Sequence, residues 1–382
     1  PRTTPRPSRR QRQMCIRDRE YVVFQGGFRD SPEWGSAAVI LPLQLYQWYG
    51  DRRVLAERYP TMKRYVEYLG SRADGHIVSH GLGDWADFVK GGGVGASQLT
   101  PTSLTATAIY YYDVIILARI ASILEEQEDA EGYAALAQKI REAFNRALFD
   151  PQTNRYASGS QTSQAMPLVL GLVDPNRVDP VFAHLVGELQ GRGYITAGDV
   201  GFRFLLRALA EQGRSDLVYE QNNRTTLPGY GYQIEQGATS LTEAWDGRHV
   251  VSHNHCMLGH IQEWFHADLL GIQQDRKSVA FKRIVIRPRI VGDLRWARGA
   301  YDSIRCTIAV DWQLSGDMLT LKVTVPANTS ATVYVPTSDP IKVLESGQPA
   351  AEAAGVAPAD RGDGVAVYRV ESGGYVFTAP WE

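Results

Sequence analysis

The chain carries two hydrophobic periods, one after the other. From Trp34 to about Leu270 apolar residues recur at helical spacing. Segments that are apolar on nearly every face, such as 102–124, alternate with amphipathic segments such as 129–149. A helix that is apolar all round must be buried all round, so the first kind predicts an inner layer and the second an outer one. The alternation indicates a mainly α protein, an α/α toroid with five inner helices, one pair short of six hairpins.

From about residue 278 the hydrophobic period changes to two. Short alternating or β-branched runs are separated by Gly, Asp, Pro and Asn, which predicts a small antiparallel β-sandwich. We therefore expect an incomplete barrel at 21–277 and a C-terminal sandwich at 278–382. The Arg- and Pro-rich segment 1–20 lacks the apolar content to fold, and we interpret it as disordered or non-native.

Composition narrows the class of protein without identifying it. A net charge of −2 gives no global field that favours nucleic acid or an anionic membrane. Cys15, Cys256 and Cys306 are too few and too scattered for a disulfide framework, and no CxxC indicates a metal site. We identify no apolar run near the length of a membrane span and no secretory signal. The 8 Trp, 19 Tyr and 11 Phe suit sugar rings, but they also fill ordinary cores.

Several motifs, in order and with compatible spacing, resemble the catalytic domain of bacterial α-L-rhamnosidases, glycoside hydrolase family 78. They are GLGDWADF (81–88), the apolar segment 100–124, PGYGYQIEQGATSLTEAWDG (228–247) and SHNHCMLGHIQEWFHADLLGI (252–272). The segment VPANTSATVYVP (325–336) resembles the C-terminal β-sandwich of that family. The resemblance implies an (α/α)6 barrel followed by a β-sandwich, which is the architecture that the periodicity predicts.

The resemblance also implies a reaction, the hydrolysis of terminal α-L-rhamnosides with inversion at the anomeric carbon. Inversion uses two carboxyl groups about 6.5–9.5 Å apart, one as acid and the other as base. The resemblance gives Glu243, in TSLTEAWDG, the role of general base, whereas its spacing alone favours a solvated loop carboxylate. The acid of the family lies in an upstream motif, so we expect this chain to lack the acid, the first helix pair and the N-terminal β-domains. Glu20 and Glu33 lack the pattern that flanks the acid, and we interpret Glu33 as a turn residue.

Further residues are candidates for a sugar pocket. The resemblance makes Trp34 and Trp85 walls of the rhamnose pocket, with Asp84 on the same loop as Trp85. Without the resemblance, Asp84 and Trp85 are better described as an Asp at the entry of a helix beside a Trp of the core. It also assigns His255 as a hydrogen-bond partner of a sugar hydroxyl or of the base. Where the family has Asp after the Trp34–Gly pair this chain has Ser36, which puts a polar contact from that loop in doubt.

The remaining candidates carry weaker signals. Trp245 fits pocket and packing equally well, Tyr230 is a candidate rim aromatic, and Asp246 is better placed to orient than to react. His253 and His260 are interpreted as structural, because no HExxH helix or Cys partner supports a zinc site. We therefore expect no metal and no cofactor.

Three hypotheses of function remain open. The first is an inverting α-L-rhamnosidase that acts on glycosides or rhamnose-containing polysaccharides. The second is a lyase acting on rhamnosyl-glucuronate linkages on the same barrel, which would favour cationic contacts that the motif loops do not offer. The third is a truncated, non-catalytic fragment that binds sugar weakly or fails to fold. We expect no nucleic-acid or membrane partner, and the sequence fixes neither the oligomeric state nor the compartment.

Overall fold

The computed structural model describes residues 30–246, 252–362 and 364–381. Within these ranges the chain forms two compact units. The described part of the first unit is 30–43, 53–208, 225–246 and 252–258, and that of the second is 44–52, 209–224, 259–362 and 364–381. The domain limits expected at 20/21 and 277/278 stay predictions, and the segment 1–20 lies outside the described residues.

Helices make up most of the chain before residue 270. In chain order they are α1 (Pro32–Gly35), α2 (Ala37–Tyr49), α3 (Arg53–Arg72), α4 (Thr102–Leu124), α5 (Gln127–Leu148), α6 (Gln161–Leu170), α7 (Val178–Arg192), α8 (Gly201–Glu211), α9 (Ser215–Asn222), α10 (Tyr230–Glu235) and α11 (Ile261–Trp264). A short hairpin joins α5 to the segment before α6; its strands, β1 (Phe149–Asp150) and β2 (Arg155–Tyr156), have two residues each.

Helix α4 is the central helix of the first unit. It is buried along most of its length and packs against α3, α5 and α6, as its uniformly apolar composition predicts. Its 23 residues are long and apolar enough to cross a membrane, which corrects our expectation that no run approaches that length. Because 61% of its most apolar window is buried inside the protein, α4 has the environment of a core helix.

The amphipathic helices bury one face each. Helix α3 buries Leu55, Tyr59, Met62, Val66 and Leu69, the face that the helical spacing predicts. Helix α5 likewise buries a stripe and exposes its charged residues. The inner and outer roles predicted for α4 and α5 are therefore confirmed.

The helix predicted over 254–271 is not continuous. The chain there forms a 3₁₀ turn at Met257–His260, then α11, then a π-helical turn at Phe265–Leu269. Residues 252–256, just before this stretch, form bends and irregular backbone instead of helix, and the amide of His255 donates to the carbonyl of Leu241 at 3.0 Å. A backbone group bonded to a neighbouring segment is not available to a helix.

The second unit contains the β-sandwich. One sheet has the order β10-β9-β13-β7-β6-β5 and the other the order β11-β12-β8-β4-β3. The strands are β3 (Ile272–Gln274), β4 (Arg283–Ile286), β5 (Trp296–Ser303), β6 (Cys306–Ser315), β7 (Met318–Val325), β8 (Ser330–Pro336), β9 (Leu344–Glu345), β10 (Gln348–Pro349), β11 (Val356–Gly362), β12 (Val365–Val370) and β13 (Gly373–Pro380).

The sandwich differs from the prediction in two respects. The pairing of β4 with β8 is parallel, whereas the other pairings of the sandwich strands are antiparallel. The predicted runs also omitted β3, β5, β9, β10 and β11. Strand β5 gave no alternating pattern, because it is the last strand of its sheet and only Ala297 on it is buried. The side chains that alternate inward from both sheets form one core around Trp312 and Phe377.

Candidate active site

Glu243 lies at a hairpin-like contact between two segments of the first unit. Its backbone amide donates to the carbonyl of Ser252 at 2.9 Å. The Ser252 amide donates in return to Oε2 of the Glu243 carboxylate, also at 2.9 Å. The side chain is partly exposed. One carboxylate oxygen is thus held by the backbone, while the structure assigns no hydrogen bond to the other among the described residues.

His255 follows on the same segment. Its amide donates to the Leu241 carbonyl, two residues before Glu243, so the two side chains lie on neighbouring segments. The imidazole Nδ1 accepts from the amide of Met257 at 3.4 Å. An accepting Nδ1 leaves the proton of the neutral ring on Nε2, which can then donate to another group.

Asp84 is a buried carboxyl that ties three segments together. Oδ2 accepts from the Thr162 hydroxyl at 2.5 Å and from the Gly198 amide at 3.0 Å, and Oδ1 accepts from the Gly201 amide at 2.7 Å. Burial raises the pKa of Asp84 to about 6 against these three bonds, which lower it. Both oxygens are therefore occupied by protein donors, one of which is the amide of Gly201, the first residue of α8.

The loop that contains Asp84 also pairs with the segment 196–199. The Asp199 amide donates to the Trp85 carbonyl at 2.7 Å, and the Phe88 amide donates to the Thr196 carbonyl at 2.9 Å. Gly198 fits between them, since a Cβ there would be 2.2 Å from the Trp85 carbonyl oxygen. Only glycine permits this approach of two backbones.

Trp85 projects from this loop and is partly exposed. The Gly-rich segment that follows in the chain is bonded to this loop at Ala86, whose amide donates to the Gly95 carbonyl at 2.7 Å. Asp87 secures the far end of the same segment, accepting from the amides of Leu99 at 2.6 Å and Gln98 at 2.9 Å. The loop that carries Trp85 is therefore fixed on both sides.

Trp34 lies in the short helix α1, beside the start of the same loop. The Leu82 amide donates to the Ser31 hydroxyl at 3.0 Å, which joins the α1 segment to the residues before Asp84. Trp34 is partly exposed. The two candidate ring walls are thus carried by neighbouring segments.

Glu33 is not the turn residue that the sequence indicated. It lies within α1, and its carboxylate accepts from the Ser31 hydroxyl at 2.5 Å and from the Thr105 hydroxyl at 2.6 Å. Desolvation, with a smaller contribution from the negative charge of Asp84, raises the pKa of Glu33 to about 7. Its two bonded oxygens make Glu33 a link between α1 and α4.

Ser36 holds a second buried carboxyl near α1. The Ser36 hydroxyl donates to Oδ2 of Asp113 at 2.5 Å, in the middle of the apolar helix α4. Burial raises the pKa of Asp113 well above its usual range. The Ser36 hydroxyl is thus engaged with a buried carboxyl of the core, and the doubt about a polar contact from this loop to a sugar stays a prediction.

Trp245 and Tyr230 belong to a buried aromatic cluster with Phe202. The Trp245 ring meets Phe202 and Tyr230 edge to face, with centroids 5.3 and 5.1 Å away. Trp245 is 2% exposed, and its indole nitrogen has no hydrogen-bond partner in the described part of the chain. The Tyr230 hydroxyl donates to the Leu258 carbonyl. Of the two roles that the sequence left open for Trp245, the contacts favour packing.

Asp199 is a residue that the sequence analysis missed. It is 2% exposed, and none of the residues that the structure describes hydrogen-bonds its Oδ1. Desolvation, followed by the negative charges of Asp84 and Glu243, raises its pKa to about 9. Those two contributions place Asp199 within electrostatic reach of both the Asp84 loop and the candidate base. The signal in the sequence is an acidic residue set between two glycines, GDVG, just before an apolar helix.

The structure therefore links most of the predicted residues through a chain of short contacts. The α1 segment adjoins the Asp84 loop, this loop pairs with 196–199 and binds the start of α8, and Phe202 of α8 contacts Trp245, two residues after Glu243. The substrate roles of Trp34, Asp84, Trp85, Tyr230, Trp245 and His255 remain predictions. Asp246 is partly exposed and its orienting role also stays a prediction. Among the residues that the structure describes, no group of three His, Cys, Asp or Glu side chains is arranged to hold a metal ion.

Comparison with known families gives two matches along the chain. Residues 19–269 match the model of the bacterial alpha-L-rhamnosidase 6 hairpin glycosidase domain. Residues 271–348 match the model of the bacterial alpha-L-rhamnosidase C-terminal domain. The two matches meet where the hydrophobic period changes.

Individual relatives agree with the family matches. An alpha-L-rhamnosidase from Streptomyces avermitilis is 30% identical over 356 residues, which is 90% of this chain and 32% of the relative. Another, from Alteromonas sp., is 32% identical over 320 residues, 80% of this chain and 35% of the relative. The chain spans about a third of the length of these curated relatives.

Solved structures show the same likeness. The Streptomyces avermitilis alpha-L-rhamnosidase complexed with L-rhamnose superposes with a TM-score of 0.82 over 90% of this chain and 33% of the other. The alpha-L-rhamnosidase from Dictyoglumus thermophilum, 32% identical, superposes with a TM-score of 0.84 over 92% of this chain and 40% of the other. A six-hairpin glycosidase domain followed by a β-sandwich is therefore the fold of this chain.

Proposed function

Because this chain belongs to the bacterial α-L-rhamnosidase family of six-hairpin glycosidases, we propose that its protein hydrolyses terminal α-L-rhamnosyl residues of glycosides or polysaccharides, with inversion. The proposal extends to the whole protein an activity named for relatives that are about three times longer than this chain. One of those relatives was solved with L-rhamnose, which supports rhamnose as the sugar.

The observation that carries the proposal is the environment of the Glu243 carboxylate. A general base needs one oxygen directed at the water and a side chain that does not rotate away from it. The Ser252 amide holds Oε2, which fixes the carboxylate and leaves Oε1 for the water. The side chain is also partly exposed, so water and sugar can reach it.

The other candidate residues have two kinds of role: some contact the sugar, and others hold the loops of the site in position. Trp34 and Trp85, both partly exposed, supply apolar surface against the ring and methyl group of a 6-deoxy sugar. His255 supplies a ring N–H for a sugar hydroxyl. Asp84, with both oxygens occupied by protein donors, acts as a positioning residue that keeps the Trp85 loop against α8. We assign the general acid to no residue of this chain.

The water attacks the anomeric carbon from the face opposite the leaving oxygen. Glu243 accepts the proton of that water as the new C–O bond forms, and the bond to the leaving oxygen breaks with inversion. The leaving oxygen takes its proton from the general acid, which we assign to no residue of this chain. The product released first is then β-L-rhamnose.

The test compares Glu243→Gln with the protein as it is, in its longest expressed form, on an aryl α-L-rhamnoside. The amide keeps the shape of the side chain but cannot take the proton of the water, so turnover should fall about 10²–10⁴-fold. Rhamnose affinity should change far less. Nuclear magnetic resonance of the first product should detect the β anomer.

Glu235→Gln is the matched control, since Glu235 is an exposed carboxylate of α10 in the same unit. It should keep full turnover. Near-native activity of the Glu243 variant would show that Glu243 is not the base. An α product would show that the reaction does not proceed with inversion.

A further inference from the structure

Asp199 stands apart from the other aspartates of the two paired loop segments. Asp84 accepts three hydrogen bonds and Asp87 accepts from the amides of Gln98 and Leu99. Asp199 is just as buried, yet its Oδ1 has no hydrogen-bond partner within 30–246, 252–362 and 364–381. A buried carboxyl without a partner costs free energy, and such groups in native proteins are rare enough to need an explanation.

The backbone around Asp199 is fixed more tightly than a loop usually is. Its amide donates to the Trp85 carbonyl at 2.7 Å, and the Gly198 next to it allows no side chain against that loop. Immediately afterwards α8 begins at Gly201, which Asp84 holds. The unpartnered Oδ1 therefore belongs to a residue whose backbone is held by its neighbours and does not reflect a loose segment.

The charges that raise the pKa of Asp199 are those of other carboxylates. Those charges come from Asp84 and Glu243, and both are acidic. With desolvation they raise the pKa of Asp199 to about 9, so that the carboxyl carries a proton at neutral pH. A protonated carboxyl has one O–H donor and spare acceptor capacity, which matches a sugar hydroxyl.

We propose that Asp199 is a further substrate-binding residue, whose carboxyl group hydrogen-bonds a hydroxyl of the rhamnosyl ring bound between the Trp85 loop and Glu243. The inference rests on the proposed function for the identity of the sugar. A neutral group is suited to this place, because a second negative charge would oppose the ionised form of the base. Binding of the sugar also satisfies the unpartnered oxygen.

The experiment measures L-rhamnose affinity by calorimetry, which does not depend on the acid or on turnover. Asp199→Asn keeps the shape, the neutrality and a donor, so the dissociation constant should stay within about threefold. Asp199→Ala removes the group, and affinity should fall about tenfold, the effect of one hydrogen bond. Asp179→Ala, an exposed position on α7, is the matched control and should change nothing.

A second arm identifies the hydroxyl. The 2-, 3- and 4-deoxy analogues of L-rhamnose are titrated into the native protein and into Asp199→Ala. One analogue should bind more weakly to the native protein, yet lose no further affinity in the variant, because the two deletions remove the same bond.

The outcomes separate the two proposals. Equal affinity of the native protein and Asp199→Ala for rhamnose, with both variants folded by circular dichroism, would overturn the role of Asp199 and leave the rhamnosidase proposal standing. Additive losses for all three deoxy sugars would overturn it as well. If the native protein binds no rhamnose, both proposals fail together.

Discussion

The amide of Ser252 donates to Oε2 of Glu243, while the amide of Glu243 donates to the carbonyl of Ser252, both at 2.9 Å. One residue therefore fixes both the backbone and the carboxylate of the candidate base. The activity of a carboxylate held in this way should depend on the length of its side chain as well as on its charge.

Glu243→Asp keeps the charge but withdraws the carboxylate by one methylene. The shorter side chain cannot reach both the Ser252 amide and the water, and a displacement of about 1 Å can cost 10²-fold in rate. Turnover of an aryl α-L-rhamnoside should fall by about that factor while rhamnose affinity changes little. Glu235→Asp on the exposed face of α10 is the control. Native turnover of Glu243→Asp would mean that the Ser252 contact has no part in catalysis.

Gly198→Ala should separate the two loop segments. The added Cβ would meet the Trp85 carbonyl oxygen at 2.2 Å and the Asp87 amide at 2.6 Å, and neither backbone can yield cheaply. Overpacking of this kind costs about 1–3 kcal/mol, and rhamnose affinity should fall with it, because Trp85 moves.

The control for that change is Gly187→Ala in α7, where a Cβ meets nothing within 4 Å. It should raise the free energy of unfolding by about 0.5–1 kcal/mol, since Gly is a poor helix former. Urea unfolding checks both variants. If Gly198→Ala unfolds at the native midpoint, the close approach of the two segments is not required.

Trp245→Ala should lower the free energy of unfolding by about 3–5 kcal/mol, because it empties the space between Phe202 and Tyr230. Trp245→Phe should lose less than half of that, since the indole nitrogen has no hydrogen bond to lose. Rhamnose affinity of Trp245→Phe should match that of the native protein. A weaker rhamnose affinity at an unchanged free energy of unfolding would indicate that Trp245 contacts the sugar.

Asp199→Asn should make the protein less sensitive to alkaline pH. The folded-state pKa of Asp199 is raised from 3.8 to about 9, so between those values the folded protein binds more protons than the unfolded chain. Stability from this residue is then full below pH 4 and declines as the pH rises towards 9. The melting temperature of the variant relative to the native protein should rise between pH 5 and pH 8. The exposed Asp179→Asn should show no such trend, and a constant difference for Asp199→Asn would contradict the raised pKa.

The sequence predicted the parts of the fold in which one period runs for many residues. The apolar α4 and the one-sided α3 follow directly from hydrophobic spacing, because burial alone determines their faces. It did not predict β5, whose edge position leaves only Ala297 buried. It also extended the last helix too far, because the bond from His255 to Leu241 joins distant residues and leaves no local pattern.

In the candidate site, too, the sequence predicted some residues and missed others. Glu243, Trp85 and His255 came from motifs, and they lie on segments that the structure links. Asp199 could not be found from spacing, because its burial depends on a loop more than 100 residues earlier in the chain. The fully bonded state of Asp84, which favours a positioning role, also depends on donors from Thr162 and Gly201, far away in sequence.

The parallel pairing of β4 with β8 has a consequence for how the chain is made. Strand β4 leaves the ribosome about forty residues before its partner, and at about 5–20 residues per second the wait lasts a few seconds. The three antiparallel strands β5, β6 and β7 can pair locally during that interval, while one edge of the Ile284–Ile286 segment stays open. Slow or interrupted synthesis near residue 330 would therefore prolong the time in which nascent chains can associate through this edge.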